Sequence, residues 1–402
     1  MKITAVIAEY NPFHNGHQFQ INQIKKSPDD MVVAIMSGNF VQRGDVACMN
    51  KFNRANAAIQ CGVDLVLELP LPYAMNTAER FAFGGISLAN ALGCIDYIAF
   101  GAENADISLL TQTAQLLTED RLYAVIRQYL ASGITFATAR EKAVSELGSP
   151  YMAELLKSPN NILGIEYIKQ LLLTNSKIQP VAINRIGIEH DAIFPQQGFA
   201  SGSYIRELIQ NGSEIQNYIP HESYIQFMQG VKNGNTPVSL VGYDRILLAK
   251  LRSLSKLQVE ALPDITEGIQ FRLLNGIKQA DSYSSLLDYI KTKRYTLARV
   301  RRLVLSAALG IDGDLCKKNP PYLRILALGN GGTQILKLAK QTASLPISHS
   351  LATLEHLNKT NEKFTSLEAY STDFYNLLTP TVFPCGLDYR WQICGTLPPS
   401  LR

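Results

Sequence analysis

Short apolar runs and amphipathic stretches take turns over the first hundred residues. Ile3–Ala8, Met31–Met36, Asp64–Glu68 and Tyr97–Phe100 are short apolar runs of strand length, whereas residues 16–26, 51–61 and 77–92 repeat their apolar positions with helical spacing. Strands alternating with helices predict βαβ units, a parallel sheet and right-handed crossovers. Gly62, Pro70, Pro72, Gly93 and Gly101 punctuate the segments where the elements should end. From about residue 106 to 175 the period is helical throughout, broken at Pro150 and Pro159, and residues 178–183 return to strand character. This predicts helices packed on the sheet, with the strand near 180 rejoining it. A helix is expected from Ser203, and beyond the polar turn at 233–237 the chain reads as mostly helical to about 345. The expected fold class is α/β: an open, parallel-sheet domain over residues 1–225 followed by a mainly α-helical domain over 226–402.

Composition narrows the class. The 402 residues, 46% hydrophobic and 18% charged, suffice for two domains with buried cores. The apolar runs fall far short of the ~20 residues that a spanning helix needs. The opening MKITAVIAEYNP reads as a first strand and not as a secretion leader, so a cytoplasmic protein is expected. Six cysteines without a CxxC pair signal neither a disulfide framework nor a zinc site.

The net charge of +4 conceals an asymmetry. Residues 1–200 hold 15 basic against 18 acidic side chains, net −3, and residues 201–402 hold 23 against 16, net +7. Residues 291–340 alone carry eleven basic side chains against Asp312 and Asp314. Such a concentration suits a polyanionic partner. Arg299, Arg301 and Arg302 lie in a segment whose Tyr295, Leu297, Val300, Leu303 and Val304 supply a buried face. Their charges are therefore expected along an RNA phosphate backbone. Trp391 reads as core.

The sharpest chemical signal is Asn11-Pro12-Phe13-His14-Asn15-Gly16-His17, between the first strand and the first helix. In an open α/β sheet, ligands bind at the carboxyl ends of strands, and free N–H groups at a helix start favour phosphate. Gly16 lets backbone approach a nucleotide closely, and the His14 and His17 imidazoles can hydrogen-bond phosphate oxygens as charge builds in a transition state. No third ligand at suitable spacing stands nearby, so no metal site is expected.

This HxGH turn resembles that of the HIGH-motif nucleotidyltransferase superfamily, whose members transfer a nucleoside monophosphate from a triphosphate, although Asn11 stands where many small-molecule members carry Asp. A Rossmann-like nucleotidyltransferase domain is implied. Ser201-Gly202-Ser203-Tyr204-Ile205-Arg206 matches the superfamily's SxSxxR motif, with Ser203 expected to cap the helix and Arg206 to fork onto the β and γ phosphates. The segments AEYNPFHNGH, SGNFVQRGD (37–45), DLVLELP (64–70), AFGAE (99–103) and SPNNILGIEY (158–167) are together similar to the bacterial tRNA(Met) cytidine acetate ligases. The resemblance implies Mg2+ and ATP as co-substrate, acetate activated as acetyl-adenylate, and transfer to the wobble cytidine of elongator tRNA(Met) to give N4-acetylcytidine. A small-molecule adenylyltransferase and an inactive RNA-binding relative are the competing readings.

By the same resemblance the nucleotide site takes in Ile7, Ala8, Glu9, Tyr10, Asn11, Pro12, Phe13, Asn15, Gly16, Gln18 and Gln20, with Gly101, Arg185 and one of Asn160 and Asn161. Asn161 is favoured as reader of the adenine edge and Asn160 as helix cap, although the sequence does not separate them; Arg185 could instead pair with Glu189. The 37–45 loop follows the second strand, so Asn39, Gln42, Arg43 and Asp45 are expected at the same sheet edge, facing the acetate or the cytosine. Lys51 and Arg54, one helical turn apart, could add positive charge toward the triphosphate.

Overall fold

The computed structural model describes residues 1–185 and 198–393. In chain order the strands are β1 (Ile3–Ala8), β2 (Met31–Ser37), the two-residue pair β3 (Phe40–Val41) and β4 (Asp45–Val46), β5 (Leu65–Leu69), β6 (Tyr97–Ala102), β7 (Gln179–Asn184), β8 (Leu323–Leu328) and β9 (Ile347–Ser348). All but β3 and β4 form one sheet in the order β7-β6-β1-β2-β5-β8-β9. The five strands from the first half run parallel. Their alternate residues feed two cores: Ile3, Ala5, Val33, Ile35, Leu65 and Leu67 on one face, Val6, Val32, Ala34, Met36 and Val66 on the other. Burial on both faces explains why these strands read as continuous apolar runs.

The parallel-sheet expectation holds, with element ends one or two residues from those predicted. Between β6 and β7 come five helices, and Pro150 and Pro159 each open one of them, where a missing N–H costs nothing. The strand near 180 does rejoin the sheet, paired with β6 from Tyr97↔Gln179 to Ala102↔Asn184.

The chain beyond 226 is mostly helical, as expected, but it also adds two strands that were not: β8 pairs antiparallel with β5, through Leu65↔Leu328 and Val66↔Ala327, and carries β9 beside it. The sheet therefore draws strands from both sides of 225/226. The helix Lys359–Asn376 is also sunk into the body of the protein, burying Phe364, Glu368, Phe374 and Tyr375.

The register sets Ala8 beside Met36, with the end of β6 on the other side of β1. The carboxyl ends of β1, β2 and β6 thus form one rim. A third, small core of Cys48, Met49, Ile205, Ile209, Ile215, Ile219 and Phe227 packs the helices Gly202–Gln210 and His221–Lys232 against that rim.

Candidate active site

The turn after β1 is built by the two histidines themselves. His14 is the N-cap of the helix Asn15–Ile24: its Nδ1 accepts from Gly16 N at 3.1 Å, while His17 Nδ1 accepts from His14 N at 3.2 Å. This is a capping box made of imidazoles where Ser and Glu are usual. The rings stack at 3.7 Å. Burial and the Arg185 and Arg206 charges push the His14 imidazole down to about 3; burial, His14 and Arg185 hold His17 well below its ordinary value. Both rings are neutral near pH 7, and with each Nδ1 accepting, the ring proton sits on Nε2. Each histidine therefore presents an Nε2–H donor.

The surrounding residues hold the turn in shape. Tyr10 adopts φ 47°, an uncommon conformation for a side chain of its size, and its buried ring packs on Phe13 and His17 at 4.7 and 4.9 Å. Asn11 is buried and its Oδ1 accepts from Cys48 N. Asn15 Nδ2 donates to the carbonyls of Gly198 and Asn217, and Ser223 Oγ donates to Phe13 O. Gln18 donates its amide to Cys61 O, and Gln20 reaches Ala99 O at 3.5 Å. Ile7 and Ala8 are half-buried at the end of β1, and Pro12 is buried in the turn.

Arg206 meets this turn from the helix Gly202–Gln210, its Nη1 donating to Asn11 O at 2.9 Å. The cap of that helix is Ser201, which accepts from Tyr204 N; Ser203 is not the cap and stands exposed beside it. On the other side of β1, the Gly101–Glu103 loop faces the helix Pro159–Leu173. Glu103 accepts from Asn160 Nδ2 at 2.6 Å and from Asn161 N at 3.0 Å, and Asn161 Oδ1 accepts from Asn104 N. Asn161 is 2% exposed and braces the loop. The cap position is Ser158, so Asn160 does not cap; it is the more open of the pair. Arg185 begins at the end of β7 with its side chain over Gly101. Its suggested partner Glu189 lies outside the described residues.

The 37–45 segment is a hairpin at the same rim, as expected, but several of its polar groups are committed. Gln42 N donates to Glu9 Oε1 and its amide to Asn76 O. Asn39, 2% exposed, accepts from Lys51 N and donates to Thr372 Oγ1, so it serves the scaffold and not a substrate. Arg43 is exposed at the tip. Asp45 is half-buried between Arg206 and Arg301; burial raises its carboxyl and the two guanidinium groups oppose that rise.

Three further expectations are corrected by burial or ion pairing. Lys51 is fully buried, pairing with Glu68 at 2.7 Å and Asp388 at 2.8 Å. Arg54, also fully buried, donates to the carbonyls of Glu9, Ser37, Gly38 and Met49. Neither offers charge to a triphosphate. Arg299 is locked by Asp264 and Glu267 and stacks over Tyr295, so it is no RNA contact. Arg301 and Arg302, on the helix Leu297–Leu309, back onto the hairpin: a Cβ at Gly44 would meet Arg302 N at 2.4 Å. Just before this helix, Lys291, Lys293 and Arg294 are exposed. Trp391 is core, stacked on Phe52 at 4.0 Å.

Sequence reasoning missed the carboxylates that support the site, Glu68, Glu103 and Asp388. Glu103 was within reach, since it stands in the AFGAE segment two residues after Gly101. Among the described residues no group of three or more His, Cys, Asp or Glu is placed to hold a metal, and no helix is long and apolar enough to cross a membrane.

A family model, HIGH Nucleotidyl Transferase, matches residues 1–385. A tRNA(Met) cytidine acetate ligase of Thermoanaerobacter sp. (strain X514) is 35% identical over 97% of this chain and 98% of its own. The enzyme of that name from Caldanaerobacter subterraneus subsp. tengcongensis is 37% identical over the same shares. A crystal structure of Thermotoga maritima TmcAL bound with alpha-thio ATP superposes with a TM-score of 0.88, at 32% identity, over 95% of this chain and 96% of that one. The apo form of the same protein reaches 0.92 over 98% and 99%. With the imidazole capping box at the end of β1 and similarity along nearly the whole length, the chain belongs to the HIGH nucleotidyl transferase family and, within it, to the tRNA(Met) cytidine acetate ligases.

Proposed function

We propose that this protein activates acetate with ATP and passes the acetyl group to the wobble cytidine of elongator tRNA(Met). The observation that carries the reading is the pair of Nε2–H donors presented by His14 and His17, with Arg206 anchored beside them on Asn11 O. Acetate is a competent nucleophile. Its oxygen attacks the α-phosphorus and pyrophosphate leaves, while the three side chains donate to the oxygens on which charge grows. Because the donors are fixed by the backbone, no reorganisation accompanies the reaction. The cytosine amine then attacks the acetyl carbonyl, forming the C–N bond, breaking the C–O bond to AMP and shedding the amine proton.

ATP in this reading lies across the His14–His17 turn, with its base toward Gly101, Arg185 and the Asn160–Asn161 helix start. Mg2+ would arrive with the triphosphate, neutralising its charge; the site itself supplies cationic and neutral donors and few carboxylates, which fits an ion held mainly by phosphate. Residues 1–225 supply the adenylation chemistry, and the basic surface of 226–402 holds the RNA. Arg301, near the hairpin, and the exposed Lys291, Lys293 and Arg294 mark the path of the RNA backbone. The hairpin residues Arg43 and Asp45 stand where the acceptor base would enter.

Pyrophosphate exchange into ATP tests the first step. The native protein is expected to exchange label only when acetate is present, and His17→Ala to reduce that exchange by about 10²–10³-fold, the usual cost of one oxyanion donor, while binding tRNA normally. Exchange that ignores acetate, or that survives His17→Ala, contradicts the assignment.

A further inference from the structure

A buried charge cluster lies beneath the rim, and one of its members comes from the far end of the chain. Lys51 Nζ is 2.7 Å from Glu68 Oε1 and 2.8 Å from Asp388 Oδ1; Arg324 Nη1 is 2.7 Å from Glu68 Oε2 and 2.5 Å from Asp388 Oδ1. Arg324 Nη2 also donates to Asp388 O at 3.2 Å. All four side chains are at most 1% exposed. Glu368 lies alongside, but burial and Glu68 push its carboxyl up to about 8, so near neutral pH it mostly keeps its proton. Two cations thus face two anions. Burial alone would raise the Asp388 carboxyl, yet Arg324 and Lys51 outweigh it and hold the group ionised. Without Asp388, Lys51 and Arg324 are left with the single Glu68 carboxylate as ion-pair partner, in a core where charges persist only when paired.

The segment that carries Asp388 grips the helix Lys51–Gln60 at two consecutive residues: Asp388 takes Lys51, and Trp391 stacks on Phe52 at 4.0 Å. Less than one turn further along, Arg54 collects the carbonyls of Glu9 at the end of β1 and of Ser37 and Gly38 at the end of β2. These two strand ends lead into the His14–His17 turn and the β3–β4 hairpin. A second route runs through Thr372, which bonds Asp388 and accepts from Asn39 at the foot of the hairpin.

We infer that Asp388 is a positioning residue of the nucleotide site: with Trp391 it clamps the start of the Lys51–Gln60 helix, so that Arg54 holds the ends of β1 and β2 at the spacing the turn requires. The inference goes beyond the acetate and tRNA reading and rests only on ATP binding at the turn. Asp388→Asn keeps the shape of the side chain and removes its charge. At a temperature where the full-length variant is folded by circular dichroism, calorimetric titration should show ATP binding at least tenfold weaker than native. The His14 and His17 ring resonances, silent in the native protein, should begin to titrate toward their ordinary range. If Asp388→Asn does not fold, Trp391→Ala, which leaves every charge in place, should show the same two changes at smaller size. Native ATP affinity together with native imidazole behaviour in a folded variant overturns the inference. If the native protein itself fails to bind ATP, the nucleotide reading falls, and the imidazole titration alone decides whether Asp388 shapes the turn.

Discussion

A triphosphate is strongly anionic, yet the two histidines proposed to meet it are uncharged. Their value lies in a fixed tautomer: each Nδ1 is occupied by a backbone N–H, so each ring keeps its proton on Nε2 as a donor. Positive charge comes instead from the Arg206 and Arg185 guanidinium groups beside them. In the nucleotide-free protein the His14 and His17 rings should therefore show no titration between pH 8 and pH 5 by NMR; an inflection near 6.5 would contradict the geometry. The unfolded chain takes up imidazole protons below about 6.5, the folded His14 only near 3, so folding stability contributed by this residue falls as pH drops through that interval. At this scale position made the histidines legible, because an apolar strand, a Pro turn and HxGH at a helix start admit few structural meanings. Lys51 and Arg54 were misread for a plain reason. A cation at helical spacing looks the same whether it faces solvent or core, and the partner that marks Lys51 as buried, Asp388, stands 337 residues away.

Among the elements, the β3–β4 hairpin connects the end of β1 with the helix Leu297–Leu309. Its Gln42 holds Glu9 next to the turn, and Gly44, at φ +74°, lies against the backbone of the helix Leu297–Leu309. A side chain there would force a left-handed conformation and collide with Arg301 and Arg302 at 2.4–2.9 Å. Gly44→Ala is expected to destabilise the fold by at least about 1–3 kcal/mol, the usual range for such strain, measured by urea unfolding; an unchanged midpoint would mean that the hairpin and helix do not touch. The hairpin loop was legible from SGNFVQRGD, its strands were not, since two residues carry no periodicity. β8 was missed for a related reason. Leu323–Leu328 is a short, wholly buried run inside a helix-rich stretch, where length and alternation do not separate strand from helix.

Over the whole molecule, charge is unevenly placed along the chain, and the structure revises which charges face outward. Of Arg299, Arg301 and Arg302, expected as RNA contacts, Arg299 is consumed by Asp264 and Glu267; Lys291, Lys293 and Arg294, not among them, stand exposed just before the same helix. Replacing those three with Ala should weaken tRNA binding and flatten its dependence on log salt by about 0.7–0.9 for each phosphate left unneutralised. Arg299→Ala should instead lower the melting temperature and leave tRNA affinity unaltered. The reverse pattern in filter-binding and melting experiments would return the RNA face to Arg299. The parallel sheet and its nucleotide rim were legible because local periodicity dictates them. The closure of that sheet by β8, and of its core by Asp388, joins residues too distant in sequence for any local pattern to show.

Incubating the protein with labelled acetate, ATP and elongator tRNA(Met), then digesting the RNA to nucleosides, should recover the label as N4-acetylcytidine at the wobble position, only when ATP is present. Label that never enters the tRNA, while acetate-dependent pyrophosphate exchange proceeds, would contradict the account and leave the protein an adenylating enzyme with another acceptor.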